Sequence, residues 1–133
     1  MATAGWYNSI TNRILNCAIE VHKELGPGLL ESVYAVCLRK ALLIEGLSFN
    51  SEMQVPVCFR GEVLEKIFIV DLLVENSIVI ELKSIEAILP VHEAQLLTYL
   101  KLTNKKLGLL INFNVALLKD GIRRRINGNL NSV

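Results

Sequence analysis

The sequence predicts an α/β fold with a central mixed β-sheet and helices on both faces. Three observations predict it. Two stretches near the N-terminus repeat apolar residues at helical spacing. Four later runs read as strands. A proline-headed helix falls between the last two of those strands, and such a connection crosses from one strand to the next.

Residues 8–25 carry Ile10, Ile14, Cys17, Ala18, Val21 and Leu25 at helical spacing, so they form an amphipathic helix that Gly26-Pro27-Gly28 stops. A second helix spans about 30–45, with Tyr34, Ala35, Leu38 and Leu42 on one stripe and Gly46 at its end. Residues 53–60 read as a strand, placed at an edge by Pro56. Residues 64–74 and 78–84 read as a strand pair joined around Asn76-Ser77, and Pro90 opens a third helix running to about Thr103. The run 107–113, LGLLINF, is continuously apolar, which marks a strand buried on both faces. A short last strand or arm covers 121–126. The order is α-α-β-β-β-α-β.

Composition narrows the class. The 133 residues suit one domain, 1–133, and 52% hydrophobic with 20% charged residues describe a globular chain. No apolar run nears the roughly 18 residues that span a bilayer, and the start lacks the pattern of a signal peptide. The three cysteines, Cys17, Cys37 and Cys58, form no CxxC pair, which points away from zinc and disulfides and toward a reducing, cytoplasmic setting. A net charge of +1 is weak support for nucleic-acid binding, although basic residues gather toward the C-terminus.

The chemistry concentrates in residues 67–84, IFIVDLLVENSIVIELKS. Asp71, Glu81 and Lys83 interrupt two apolar strands, and charge inside buried strands is costly without a partner or a metal ion. Glu81 and Lys83 point the same way along their strand. Asp71 lies opposite Glu81 if the connecting loop has an odd number of residues, for example 75–77; a two-residue loop sends the carboxylates to different faces, so a shared site demands an odd-numbered loop or a bulge. Two hard oxygen ligands suit Mg²⁺ or Mn²⁺, with the Leu82 carbonyl as a further donor. Lys83 is placed to stabilise charge on a scissile phosphate or to orient the attacking water. A half-exposed hairpin with a cross-strand Glu–Lys ion pair fits the same spacing, which leaves both readings open.

Glu31 falls on the apolar stripe of the second helix, where it is either a helix-dipole carboxylate or, beside Asp71 and Glu81, a third acid of one site. His92, Gln95 and Tyr99 share one face of the third helix. Gln95 is suited to orienting a phosphate or a water and Tyr99 to bonding a carboxylate, while His92 and His22 read as structural. Arg123, Arg124 and Arg125 are candidate contacts to a phosphate backbone; a solvated arm explains them equally well.

These residues also carry a resemblance. Gly28-Leu29-Leu30-Glu31-Ser32-Val33-Tyr34 is a GxxExxY signature, and QVPV at 54–57, VDLLVE at 70–75, IVIELKS at 78–84, HEAQLLTYLKLT at 92–103 and GLLINFNVALLKDGIRR at 108–124 continue the likeness. The chain resembles the GxxExxY protein family, which is placed in the PD-(D/E)XK nuclease superfamily. The resemblance implies a restriction-endonuclease-like core and a divalent-metal site acting on nucleic acid, most simply DNA. It implies that Asp71 is the motif aspartate, that Glu81-Leu82-Lys83 is the (D/E)xK element, that Glu31 is the helix glutamate near the metal, and that Gln95 is the polar residue of the following helix. Relatives commonly carry Arg and a small residue just before the aspartate, where this chain has Ile69 and Val70. A non-catalytic binding module that keeps the fold is the competing expectation, and the small footprint of the chain suggests a homodimer.

Overall fold

The computed structural model describes residues 2–131. Helix α1 spans Ala4–Leu25 and α2 spans Glu31–Glu45. Strands β1 (Phe49–Phe59), β2 (Glu62–Val74) and β3 (Ile78–Lys83) follow, then α3 (Pro90–Thr103), β4 (Leu107–Asn112), a 3-10 turn over Leu118–Gly121, and β5 (Ile122–Ile126). The five strands lie in chain order in one sheet. β3 and β4 are parallel, and the other pairs are antiparallel. The expected mixed sheet and element order are therefore present, and the basic segment near the C-terminus is a fifth strand, not a free arm. Pro56 lies in the edge strand β1, where a missing N–H costs no interior ladder bond.

Both faces of the sheet are covered. On one, α1 and α2 pack Ile14, Ala18, Tyr34, Leu38 and Leu42 against Leu72, Ile80, Leu82, Leu109 and Ile111. On the other, Leu96 and Leu100 of α3 pack against Val70, Leu73, Val79 and Leu110. A β-carbon on Gly108 would come within 2.7 Å of the Leu96 side chain, so glycine here lets α3 sit close on β4. All six residues of β4 are buried, as its unbroken apolar run requires.

β2 contains an irregularity that decides where the site lies. In a regular strand, Val70, Leu72 and Val74 share a face. Here Val70 packs on the α3 side while Leu72 and Val74 pack on the α1–α2 side, so the alternation inverts at Asp71. The register with β1 does not slip, since Ser51 faces Leu72 and Met53 faces Val70, but the intervening Glu52–Asp71 step is missing from the ladder. Glu52 has a φ of 51°, which is uncommon outside glycine.

Candidate metal centre

β2 and β3 are joined by the three residues 75–77, with Val74 paired to Ile78 and Leu72 to Ile80. One step further, the ladder gives way to side chains. The Leu82 N–H donates to Asp71 Oδ2 at 2.8 Å, and the Asp71 N–H donates to Glu81 Oε1 at 3.3 Å. The two carboxylates thus fill the gap where the strands part, each satisfying a backbone amide of the opposite strand. The odd-numbered loop is the one their pairing demanded, and the inverted alternation at Asp71 completes the approach.

Glu81 is buried, at 6% exposure, while Asp71 and Lys83 are half-buried. Burial, then the Asp71 charge, pushes the Glu81 carboxyl up to about 8 against the pull of the Asp71 amide and of Lys83. Burial also raises Asp71, opposed by the Leu82 amide and by Lys83. Glu31 is raised by burial and by Asp71, and lowered by Lys83. Each carboxylate therefore feels Lys83, and the structure brings Glu31, Asp71, Glu81 and Lys83 together from one helix and two strands. The cross-strand ion pair is absent: among the described residues the one ion pair within 4.0 Å is Arg13–Glu45.

Glu31 departs from its expected burial. It opens α2 at the mouth of a cavity of about 300 Å³ and is exposed, because the apolar stripe reaches the core only from Tyr34 onward. The signature around it has a structural explanation. Gly28 takes a φ of 94°. The Tyr34 hydroxyl donates to the Gly26 carbonyl at 2.5 Å and accepts from the Leu29 N–H at 3.1 Å, while its ring stacks on Phe113 at 4.4 Å. The Ser84 hydroxyl donates to the Leu29 carbonyl at 2.5 Å. The glycine allows the turn, the tyrosine folds it, and the serine ties it to the strand that carries Glu81 and Lys83.

Other candidates sit elsewhere. Gln95 is exposed on α3 and makes no hydrogen bond to a described residue. Tyr99 lies near enough to Glu81 and Asp71 for burial and then their charges to raise its phenol, but it packs on Phe68 and bonds neither carboxylate. His92 Nδ1 accepts from the Leu89 N–H at 2.8 Å and caps α3, while His22 Nε2 lies 2.8 Å from the Val115 carbonyl. Arg123 is turned back on the Asp120 and Ile122 carbonyls, and Arg124 donates to Asn8 on α1.

Two residues escaped the sequence reading. Glu52 lines the same cavity as Glu31 and Asp71, and its charge raises Asp71. Its position opposite Asp71 shows only in the β1–β2 register. Asn112 is 1% exposed, accepts from the Ile85 N–H at 3.0 Å and donates to the Ile85 carbonyl at 3.0 Å. With the Phe113 N–H donating to the Lys83 carbonyl at 2.9 Å, it fixes the chain leaving β3. A polar residue inside the run LGLLINF was the available signal.

The donor set fits a hard divalent cation. Asp71 and Glu81 offer oxygen donors crowded into one gap, and the acids there, with Glu31 and Glu52 nearby, outnumber the single ammonium of Lys83. Among the described residues no group of three or more His, Cys, Asp or Glu side chains is arranged to hold an ion by itself.

A family model of the PD-(D/E)XK nuclease superfamily matches residues 8–125. The chain belongs to that superfamily. The match covers every element from α1 to β5, including both strands of the carboxylate gap. No curated protein and no solved structure matches the chain. Among the described residues, no helix is long and apolar enough to cross a membrane.

Proposed function

We propose that this chain is a nuclease of the GxxExxY group that hydrolyses phosphodiester bonds in DNA with Mg²⁺ or Mn²⁺. The observation that carries the reading is the pair of carboxylates, Asp71 and Glu81, held across the gap between β2 and β3 with Lys83 acting on both. Asp71, Glu81 and the Leu82 carbonyl would hold the ion, with Glu31 directly or through water, and an ion bound there would supply a water of lowered pKa and positive charge beside the phosphate. Lys83 places its ammonium beside that charge, which strengthens its hold in the transition state over the ground state. Gln95 is assigned a looser role, orienting phosphate or water from the surface of α3. The exposed free thiol of Cys58 suits a reducing, cytoplasmic compartment.

The near-neutral net charge favours a second reading, a binding module that keeps the fold. One screen separates the two. Single-stranded, duplex and branched DNA, with RNA alongside, are incubated with Mg²⁺ and with Mn²⁺, using Lys83→Ala as control. Metal-dependent cleavage by wild type that the control lacks is the expected result. Binding without cleavage of any substrate overturns the nuclease reading in favour of the module.

A further inference from the structure

Arg39 has no place in the site as described so far, yet it lines the same cavity as Glu31, Glu52 and Asp71. It stands on α2 with Ser32 and Ala35 on the face that borders this cavity, about 12 Å along the helix axis from Glu31 at 1.5 Å per residue. The side chain is half-buried and makes no ion pair or hydrogen bond to any described residue. That is unusual for a guanidinium, whose five donors normally find acceptors when water is partly excluded. Counter-charge for the acids comes from Lys83, the cation whose field reaches Glu31, Asp71 and Glu81. Arg39 is thus a cation at the wall of an acidic cavity, left with donors to spend on something else.

We infer that Arg39 binds a backbone phosphate of the nucleic acid a few nucleotides from the one held at Asp71 and Glu81. Its planar fork matches a phosphate's oxygens, and a backbone rising about 3.4 Å per nucleotide places a neighbouring phosphate within the span between Glu31 and Arg39. The acids around it keep an unpaired anion out of the cavity. They admit a phosphate that arrives as part of a strand already engaged at the metal. Arg39 is therefore a positioning residue for the strand, and this role rests on the nuclease reading only for the identity of the neighbouring group.

The test uses two backgrounds. In Lys83→Ala protein with Mn²⁺, which keeps the metal ligands and is expected to cut only slowly, anisotropy of a labelled DNA duplex is followed over a range of salt concentrations. Adding Arg39→Ala is expected to weaken binding roughly tenfold and to lower the slope of log K against log salt by about one. Arg39→Lys keeps that slope and recovers part of the affinity. In the otherwise wild-type enzyme with Mn²⁺, Arg39→Ala raises KM by a similar factor and leaves kcat within about twofold. Equal affinity and salt slope with and without Arg39, in variants whose melting temperatures agree, overturn the assignment while leaving wild-type cleavage intact. If instead wild type binds but never cleaves, and Arg39→Ala still weakens binding, the phosphate contact stands and the nuclease reading falls. Should Arg39→Ala misfold, Arg39→Gln carries the same comparison.

Discussion

The inner and outer halves of β2 both carry apolar residues, four of five over 70–74 and three of six over 62–67, and meet opposite fates. From Val70 to Val74 the strand has β1 on one side, β3 paired with Leu72–Val74 on the other and helices on both faces, and every residue but Asp71 is buried. From Glu62 to Ile67 every residue is exposed, Val63, Leu64 and Ile67 among them, and β1 is the paired neighbour. Burial in this sheet is decided by what lies beside a residue as well as by its own hydrophobicity. Asp71 stands near the passage from one regime to the other. It is enclosed enough to be electrostatically exposed to its neighbours and open enough to line a cavity.

The contrast can be broken first from the inside. Leu72→Ala empties space in the α1–α2 core and is expected to cost about 2–5 kcal/mol in a denaturant titration. A loss under about 1 kcal/mol would mean that the inner half is not the anchor of β2. Next comes Lys83→Ala, expected to lower turnover by about 10²-fold or more, equivalent to about 2.7 kcal/mol of transition-state stabilisation, while nucleic-acid affinity stays nearly constant. Parallel loss of affinity and turnover would place Lys83 in binding instead.

A third measurement sharpens the role of enclosure. The Glu81 carboxyl is raised from 4.5 to about 8. A raised folded-state value favours the folded protein below the unfolded value of 4.5, and that contribution is lost as pH rises through about 8. Metal-free protein should therefore melt at a lower temperature at pH 8 than at pH 5, and Glu81→Gln should flatten the trend. Mn²⁺ affinity should run the other way, rising with pH as the proton is displaced, with proton release visible by calorimetry in two buffers. The smallest effect belongs to the outer half: Ile67→Ala, at 51% exposure, should change stability by about 0.5 kcal/mol or less. A larger loss would show that the outer hairpin is covered in solution.

Much of this was legible from residue patterns. Helical spacing located α1 and α2, Pro90 fixed the start of α3, and the run LGLLINF marked a strand with both faces buried. Asp71, Glu81 and Lys83 stood out as charges among apolar neighbours. The inversion at Asp71 was hidden, because alternation in sequence assumes an unbroken pleat, and the break coincides with a positive φ at Glu52 in another strand. Glu52 and Arg39 were hidden for a related reason. Each looks like an ordinary surface charge on its own element, and only the packing of α2 beside β1 and β2 gives them a shared cavity. The exposure of Glu31 was misjudged because a stripe drawn by periodicity says nothing of where the core ends along the helix.

The clamp at Asn112 carries a consequence for timing during synthesis. Asp71, Glu81 and Lys83 belong to one hairpin that leaves the ribosome early. The groups that hold the chain just after Lys83, the Phe113 amide and the Asn112 side chain, are made only after α3 has been completed. A nascent chain ending within α3 already carries Glu31, Asp71, Glu81 and Lys83 but lacks the Asn112 and Phe113 bonds that hold the chain just after Lys83. The protein is thus built with a delay between possessing these charged groups and completing the bonds that hold the chain beside them.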